Sequence, residues 1–134
     1  MIISTKGRYA LRVMIDLAEQ DPDSYTPLDE IATRQGISKK YLEIILKTLV
    51  TQKLLIGVRG KGGGYKLTRP PKEYQVLEIL ELTEGPLHSV TCLQPNSSPC
   101  DRKNHCKTLP MWQRFDQIVH DFFQNITLED LLHS

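Results

Sequence analysis

Long apolar runs are missing from this chain: none exceeds five residues, so no segment approaches the roughly 20 that a membrane-spanning helix needs. Cysteine is scarce and confined. The 134 residues hold three, Cys92, Cys100 and Cys106, all within 15 positions. An odd count in one place excludes a disulfide framework spread through the fold. No Cys-x2-Cys pair occurs, which excludes a zinc knuckle. Catalytic signatures are absent as well. The four histidines are scattered, and none stands with a nucleophile in a known motif. Gly60–Gly64 is no phosphate-binding P-loop, because Gly62 follows Lys61 where a Ser or Thr is required. There is no internal repeat and no low-complexity tract. Neither an enzyme nor a small-molecule substrate is expected. The N-terminus, MIISTKGRYALR, lacks the basic start, apolar block and small-residue cleavage site of a secretory leader. The expected compartment is the cytoplasm, with no membrane partner.

What is present is ordinary in bulk and uneven in distribution. Hydrophobic residues make up 40% and charged residues 25%, as in a globular domain. Net charge is only +1. Between Arg34 and Arg69, however, nine basic residues stand against one acid, Glu43. Residues 72–134 carry nine acids against five bases. A basic segment inside a near-neutral folded chain is the electrostatic footprint of a polyanion-binding face.

Periodicity gives the elements. Ala10, Val13, Met14, Leu17 and Ala18 form one face of a helix over 4–20, with Ser4 or Thr5 as its cap. Thr26 as cap, Pro27 as first helical residue and Asp29 answering the cap predict a second helix, ended by Gly36. Ser38 caps a third, with Leu42, Ile45, Leu46, Leu49 and Val50 inward and Lys39, Lys40, Glu43 and Lys47 outward. Two β-prone runs around Gly60–Gly64 predict a hairpin. After Pro70-Pro71 come a helix at 73–83 and a loop over 87–105. A long helix then runs to about 124, and a short one is capped by Thr127 with Asp130. The fold class is mainly α with a small β-hairpin. The expected segments are a winged helix-turn-helix domain (1–71), a connecting helix and cysteine-bearing loop (72–109), and a long helix with a short terminal one (110–134).

Two short helices split by a glycine, the second carrying outward cations, suit the DNA major groove. The helix N-terminus then reaches the base edges. Ser38, Lys39, Lys40, Tyr41 and Glu43 are the candidates there. Lysines neutralise phosphate or donate to guanine, whereas Glu43 only accepts and therefore favours a cytosine amino group. The glycine-rich hairpin tip lets Arg59 and Lys61 approach the backbone or the minor groove. Lys6, Arg8 and Tyr9 add contacts from the first helix. The expected partner is double-stranded DNA.

The spacing Cys-x7-Cys-x5-Cys, with Arg102, Lys103 and Lys107 nearby, favours thiolates that bind zinc or an iron–sulfur cluster. A fourth ligand is needed. His105, His88, Asp101 or a group from a second subunit are the options.

The motifs at 4–10 (STKGRYA), 36–43 (GISKKYLE), 58–65 (VRGKGGGY) and 125–131 (NITLEDL), with the three cysteines and Trp112, resemble a bacterial family of winged-helix regulators. That family is typified by the iron–sulfur cluster regulator IscR and the nitric-oxide-responsive NsrR. The resemblance implies a homodimer joined through the long helix, by Trp112, Phe115, Ile118, Val119 and Phe122. It implies an iron–sulfur cluster on Cys92, Cys100 and Cys106, 2Fe–2S in preference to 4Fe–4S. It also implies that cluster state controls transcription, as repression of cluster-assembly genes, and that Glu43 and Arg59 read DNA. Nitric oxide or redox stress is the alternative signal, and a zinc or thiol-redox protein the alternative class. Leu109 stands where IscR-like chains place a histidine, and Arg8 where NsrR-like chains place a carboxylate, so neither familiar fourth ligand is present. The first cysteine gap is longer than in the commonest IscR form. Lys40 and Ile44 replace uncharged polar residues of the recognition helix.

Overall fold

The computed structural model describes residues 2–98 and 100–134. The elements are α1 (Thr5–Ala18), α2 (Leu28–Gln35), α3 (Lys39–Thr51), β1 (Leu55–Val58), β2 (Gly64–Leu67), α4 (Val76–Glu84), α5 (Leu109–Gln124) and α6 (Leu128–Leu132). Single 3-10 turns lie at Pro71–Glu73 and Thr91–Leu93. The architecture is a winged helix-turn-helix extended by a long helix, as the periodicity predicts.

The central element is α1. Ala10, Val13, Met14 and Leu17 are buried, and α2, α3, α4 and α6 all pack against it. Buried among these apolar side chains is Asp16, only 2% exposed. Its carboxylate accepts from Arg34 Nη2 at 2.8 Å and Nε at 3.0 Å, and from Gln35 Nε2 at 2.9 Å. A two-pronged guanidinium pair of this kind fixes geometry as well as energy. It fastens the end of α2 to α1 and so sets the angle at which the turn at Gly36 delivers α3.

The ends of α3 are closed locally. Ser38 Oγ accepts from the Tyr41 amide at 3.2 Å. At the other end the Lys53 amide donates to Val50 and the Leu54 amide to Leu49, both at 2.9 Å. Lys53 must then adopt φ 65°, a left-handed conformation usually held by glycine.

The second helix begins differently from the sequence expectation. Thr26 is not its side-chain cap. Its backbone amide donates to the Tyr65 carbonyl and its carbonyl accepts from the Tyr65 amide, both at 2.9 Å. Thr26 is thereby drawn into a bridge with β2, and α2 starts at Leu28 with no side-chain cap. The bridge needs glycine at 64, where φ is 144° and a Cβ would collide with the Thr26 carbonyl. The helix expected at 73–83 also starts later, at Val76, because Pro71–Glu73 form the 3-10 turn and Tyr74 is extended.

Tyr74 carries no exposed surface. Its hydroxyl donates to the Leu54 carbonyl at 2.7 Å and accepts from the Thr68 amide at 2.9 Å, which joins both strands of the wing to the following turn. The Tyr74 carbonyl accepts from the Leu128 amide at 2.9 Å, so the chain's last helix returns to the core. Tyr74, Ile79 and Leu128 share one buried cluster with α1–α3. The segments 1–71, 72–109 and 110–134 thus contribute to a single core. The capping box of Thr127 and Asp130 is present as predicted.

Two stability tests follow. Asp16→Ala is expected to lower unfolding free energy by about 2 kcal/mol in chemical denaturation, below the ~3–5 for a fully buried pair because freed Arg34 reaches water. Lys53→Gly is expected to raise it by about 0.5–1 kcal/mol, by removing the left-handed strain.

Candidate nucleic-acid interface and thiol cleft

Burial divides α3 cleanly. Leu42, Ile45, Leu46 and Leu49 have no exposed surface, while Lys40, Glu43, Ile44, Lys47 and Thr51 are exposed. Between this outer face and the wing lies an open groove of about 710 Å³. Asp29, Glu43 and Lys47 line one side, and Val58, Arg59 and Gly60 the other. Glu43 and Arg59, which the sequence reading assigns to separate parts of the duplex, line one groove. Lys61 is exposed at the wing tip and Ser38 at the start of α3. Lys47, outside the candidate set, belongs to this face; its helical spacing from Lys40 and Glu43 was the available signal.

Other candidates have more local duties. Lys39 Nζ lies 3.1 Å from Asp29 Oδ1, an exposed pair of small energetic weight. Tyr9 and Tyr41 meet edge to face with ring centroids 5.8 Å apart, and the Arg12 guanidinium sits 5.0 Å from the Tyr9 ring. These two tyrosines fasten the start of α3 onto α1 and are only half-exposed. Lys6 is half-buried at the start of α1, and the exposed Arg8 donates to Thr5 Oγ1 at 3.1 Å.

All three cysteines line one cleft of about 330 Å³, with Gln94, Ser97, Lys103, Leu109 and Gln113. Cys92 lies in the 3-10 turn Thr91–Leu93; Cys92 and Cys100 are exposed and Cys106 is half-buried. Cys106 Sγ lies 3.3 Å from Thr108 Oγ1. That side-chain hydrogen bond first, then the Thr108 amide, holds the thiol below its ordinary pKa; the Arg102 charge adds a smaller push. The donor chemistry suits a thiolate-held metal group. Among the described residues, however, no three His, Cys, Asp or Glu side chains converge tightly enough for a single metal ion. Neither His105 nor Asp101 lines the cleft. His88 is turned to α5 instead, where its Nδ1 is 3.3 Å from Asp116 Oδ2, and the Ser89 amide donates to Asp116 Oδ1 at 2.8 Å. Asp116, not anticipated from the sequence, thus anchors the start of the cysteine loop to α5.

On α5 the aromatic set divides between two faces. Met111, Phe115, Ile118 and Phe122 are 44–60% exposed, and their 4-3-4 spacing makes one stripe of the kind that pairs helices. Trp112 and Val119 lie half-buried on the neighbouring face with Phe123. Met111 joins the outward stripe although the sequence reading omitted it. Among the described residues no helix is long and apolar enough to cross a membrane.

Residues 3–134 match the Rrf2 family, described as iron-dependent transcriptional regulators. The HTH-type transcriptional regulator IscR of Pectobacterium atrosepticum is 34% identical over 134 residues, covering all of this chain and 80% of that protein. IscR of Yersinia pestis is 33% identical with the same coverage. Among solved structures, CymR, the global cysteine regulator of B. subtilis, superposes with a TM-score of 0.79 at 33% identity, over 99% of this chain and 97% of that one. T. potens IscR gives 0.77 at 32% identity, over 99% and 87%.

The groove sets a salt dependence. If Lys40, Lys47, Arg59 and Lys61 each neutralise one phosphate, log K for duplex DNA should fall by about 3–4 per protomer for each tenfold rise in salt. Filter-binding or anisotropy titrations between low and physiological salt measure this slope. A flat response contradicts the assignment.

Proposed function

Because the chain belongs to the Rrf2 family of iron-dependent transcriptional regulators, we propose that it is a homodimeric, operator-binding repressor of iron–sulfur cluster assembly genes. In this reading its DNA affinity follows the state of a cluster held by Cys92, Cys100 and Cys106. The observation that carries the proposal is the meeting of three thiols in one cleft, in a chain whose recognition helix and basic wing frame a single groove. We assign a 2Fe–2S cluster, the smaller occupant. When bound, such a cluster supplies a centre that changes with oxidation, iron supply or nitric oxide. The fourth ligand comes from outside the present cleft lining. His105, one residue before Cys106, is the first to substitute. The site of action is the cytoplasm, where the operator lies.

The chain's own contacts offer a route from the thiols to the DNA face. Asp116 holds the start of the cysteine loop on α5 through Ser89 and His88. At the end of α4, Glu84 accepts from the Ser4 amide at 3.0 Å and caps the approach to α1. A shift of the loop between α4 and α5 is thereby felt at the start of α1. From there Asp16 passes it to α2 and the turn before α3. The outward stripe of α5 supplies the dimer contact, with Phe115, Ile118 and Phe122 at its centre and Trp112 and Val119 beside them.

Two measurements test this. Protein isolated under argon is expected to be coloured and to contain iron and acid-labile sulfide, both lost in Cys92→Ser, Cys100→Ser or Cys106→Ser. A colourless protein that takes up only zinc would overturn the cluster assignment. Ile118→Asp, which buries a charge in the α5 stripe, is expected to give a monomer in sedimentation analysis with an unchanged circular dichroism spectrum. An intact dimer would place the interface elsewhere. Loss of operator binding on addition of nitric oxide alone would identify that molecule as the signal.

A further inference from the structure

We propose that Ile44 is a specificity-determining residue whose side chain packs against the C5 methyl group of a thymine in the major groove. The inference rests on the DNA-binding reading above. Ile44 is 51% exposed. From α2 through α3 it is the sole large apolar side chain so exposed among the described residues; the others are Ile2, Ile56 and Val58 on the wing, and the α5 stripe.

Packing does not account for an isoleucine here. The inner face of α3 is already filled by Leu42, Ile45, Leu46 and Leu49, none of which has exposed surface. Helix propensity does not account for it either, since a β-branched residue is a poorer helix former at an exposed position than Lys, Glu or Gln. Its neighbours on the outer face are Lys40 one turn earlier, Glu43 beside it and Lys47 one turn later. Lysines answer phosphate or guanine, and Glu43 accepts from a cytosine amino group. The remaining feature of the major groove is the thymine methyl, the one apolar group the ordinary bases present there. Among Lys40, Glu43, Ile44 and Lys47, Ile44 is the side chain whose apolar surface covers it with gain. Adjacent Glu43 and Ile44 would then read a cytosine amino group and a thymine methyl on neighbouring base pairs.

Deoxyuridine isolates the contact, because it keeps every hydrogen-bonding group of thymidine and lacks only the methyl. Duplexes enriched from a randomised pool by the full-length protein, isolated under argon, are remade with deoxyuridine at each thymine and its symmetry mate. At one position per half-site the exchange is expected to weaken binding about fifteenfold, equivalent to about 1.6 kcal/mol for two buried carbon groups, one on each protomer. Ile44→Ala and Ile44→Gln are expected to bind while losing that sensitivity. Two results would overturn the proposal: wild-type protein indifferent to deoxyuridine at every position, or both variants as sensitive as wild type. Enrichment of no duplex at all would instead overturn the DNA-binding reading, and this inference with it.

Discussion

Everything the molecule presents to a partner depends on the complete burial of one face of α3. Leu42, Ile45, Leu46 and Leu49 are closed off by α1 and by the base of the wing, so the opposite face projects with its cations, its single carboxylate and its one isoleucine. At about 25 cal/mol per Å² of apolar surface, four such side chains contribute several kcal/mol, far more than any exposed ion pair on the outer face. The helix is therefore held by its inner side and is free to differ on its outer side.

The orientation of α3 depends on a polar contact within an apolar setting. Asp16, surrounded by the buried face of α1, is satisfied by three donors from the end of α2. A purely apolar contact would let α2 slide or rotate, whereas a carboxylate met by Arg34 and Gln35 accepts one arrangement. Tyr74 plays the matching part for the wing, with its hydroxyl shared between Leu54, Thr68 and Arg69. Helix and wing are thus each pinned by one buried polar group, and the groove between them has a defined width.

Much of this was legible in the sequence, for local reasons. Ser38, Gly36 and the Thr127–Asp130 box act within one turn of themselves, and their readings agree with the structure. Thr26 was misread because its backbone partners lie on β2, almost 40 residues away, where no local pattern reports them. Tyr74 carried no periodic signal, standing alone in a short extended stretch after two prolines. On α5 the apolar positions other than Met111 were found, but not their division. Whether Trp112 or Met111 faces outward depends on where α4 packs, and two overlapping stripes cannot be separated by spacing alone. The cysteines were visible as a cluster in sequence. That they share a cleft from which His105 and Asp101 are absent is a property of the loop's path and not of its composition.

The central claim is that the thiol cleft and the DNA face are coupled. The direct test is the equilibrium affinity of one protein preparation for a selected operator duplex, measured under argon with the cluster in place and again after iron is removed by chelation. The account predicts a change of about 5–150-fold between the two states, abolished when Cys106 is replaced by serine. Equal affinity in both states, with iron demonstrably bound in the first, would contradict it.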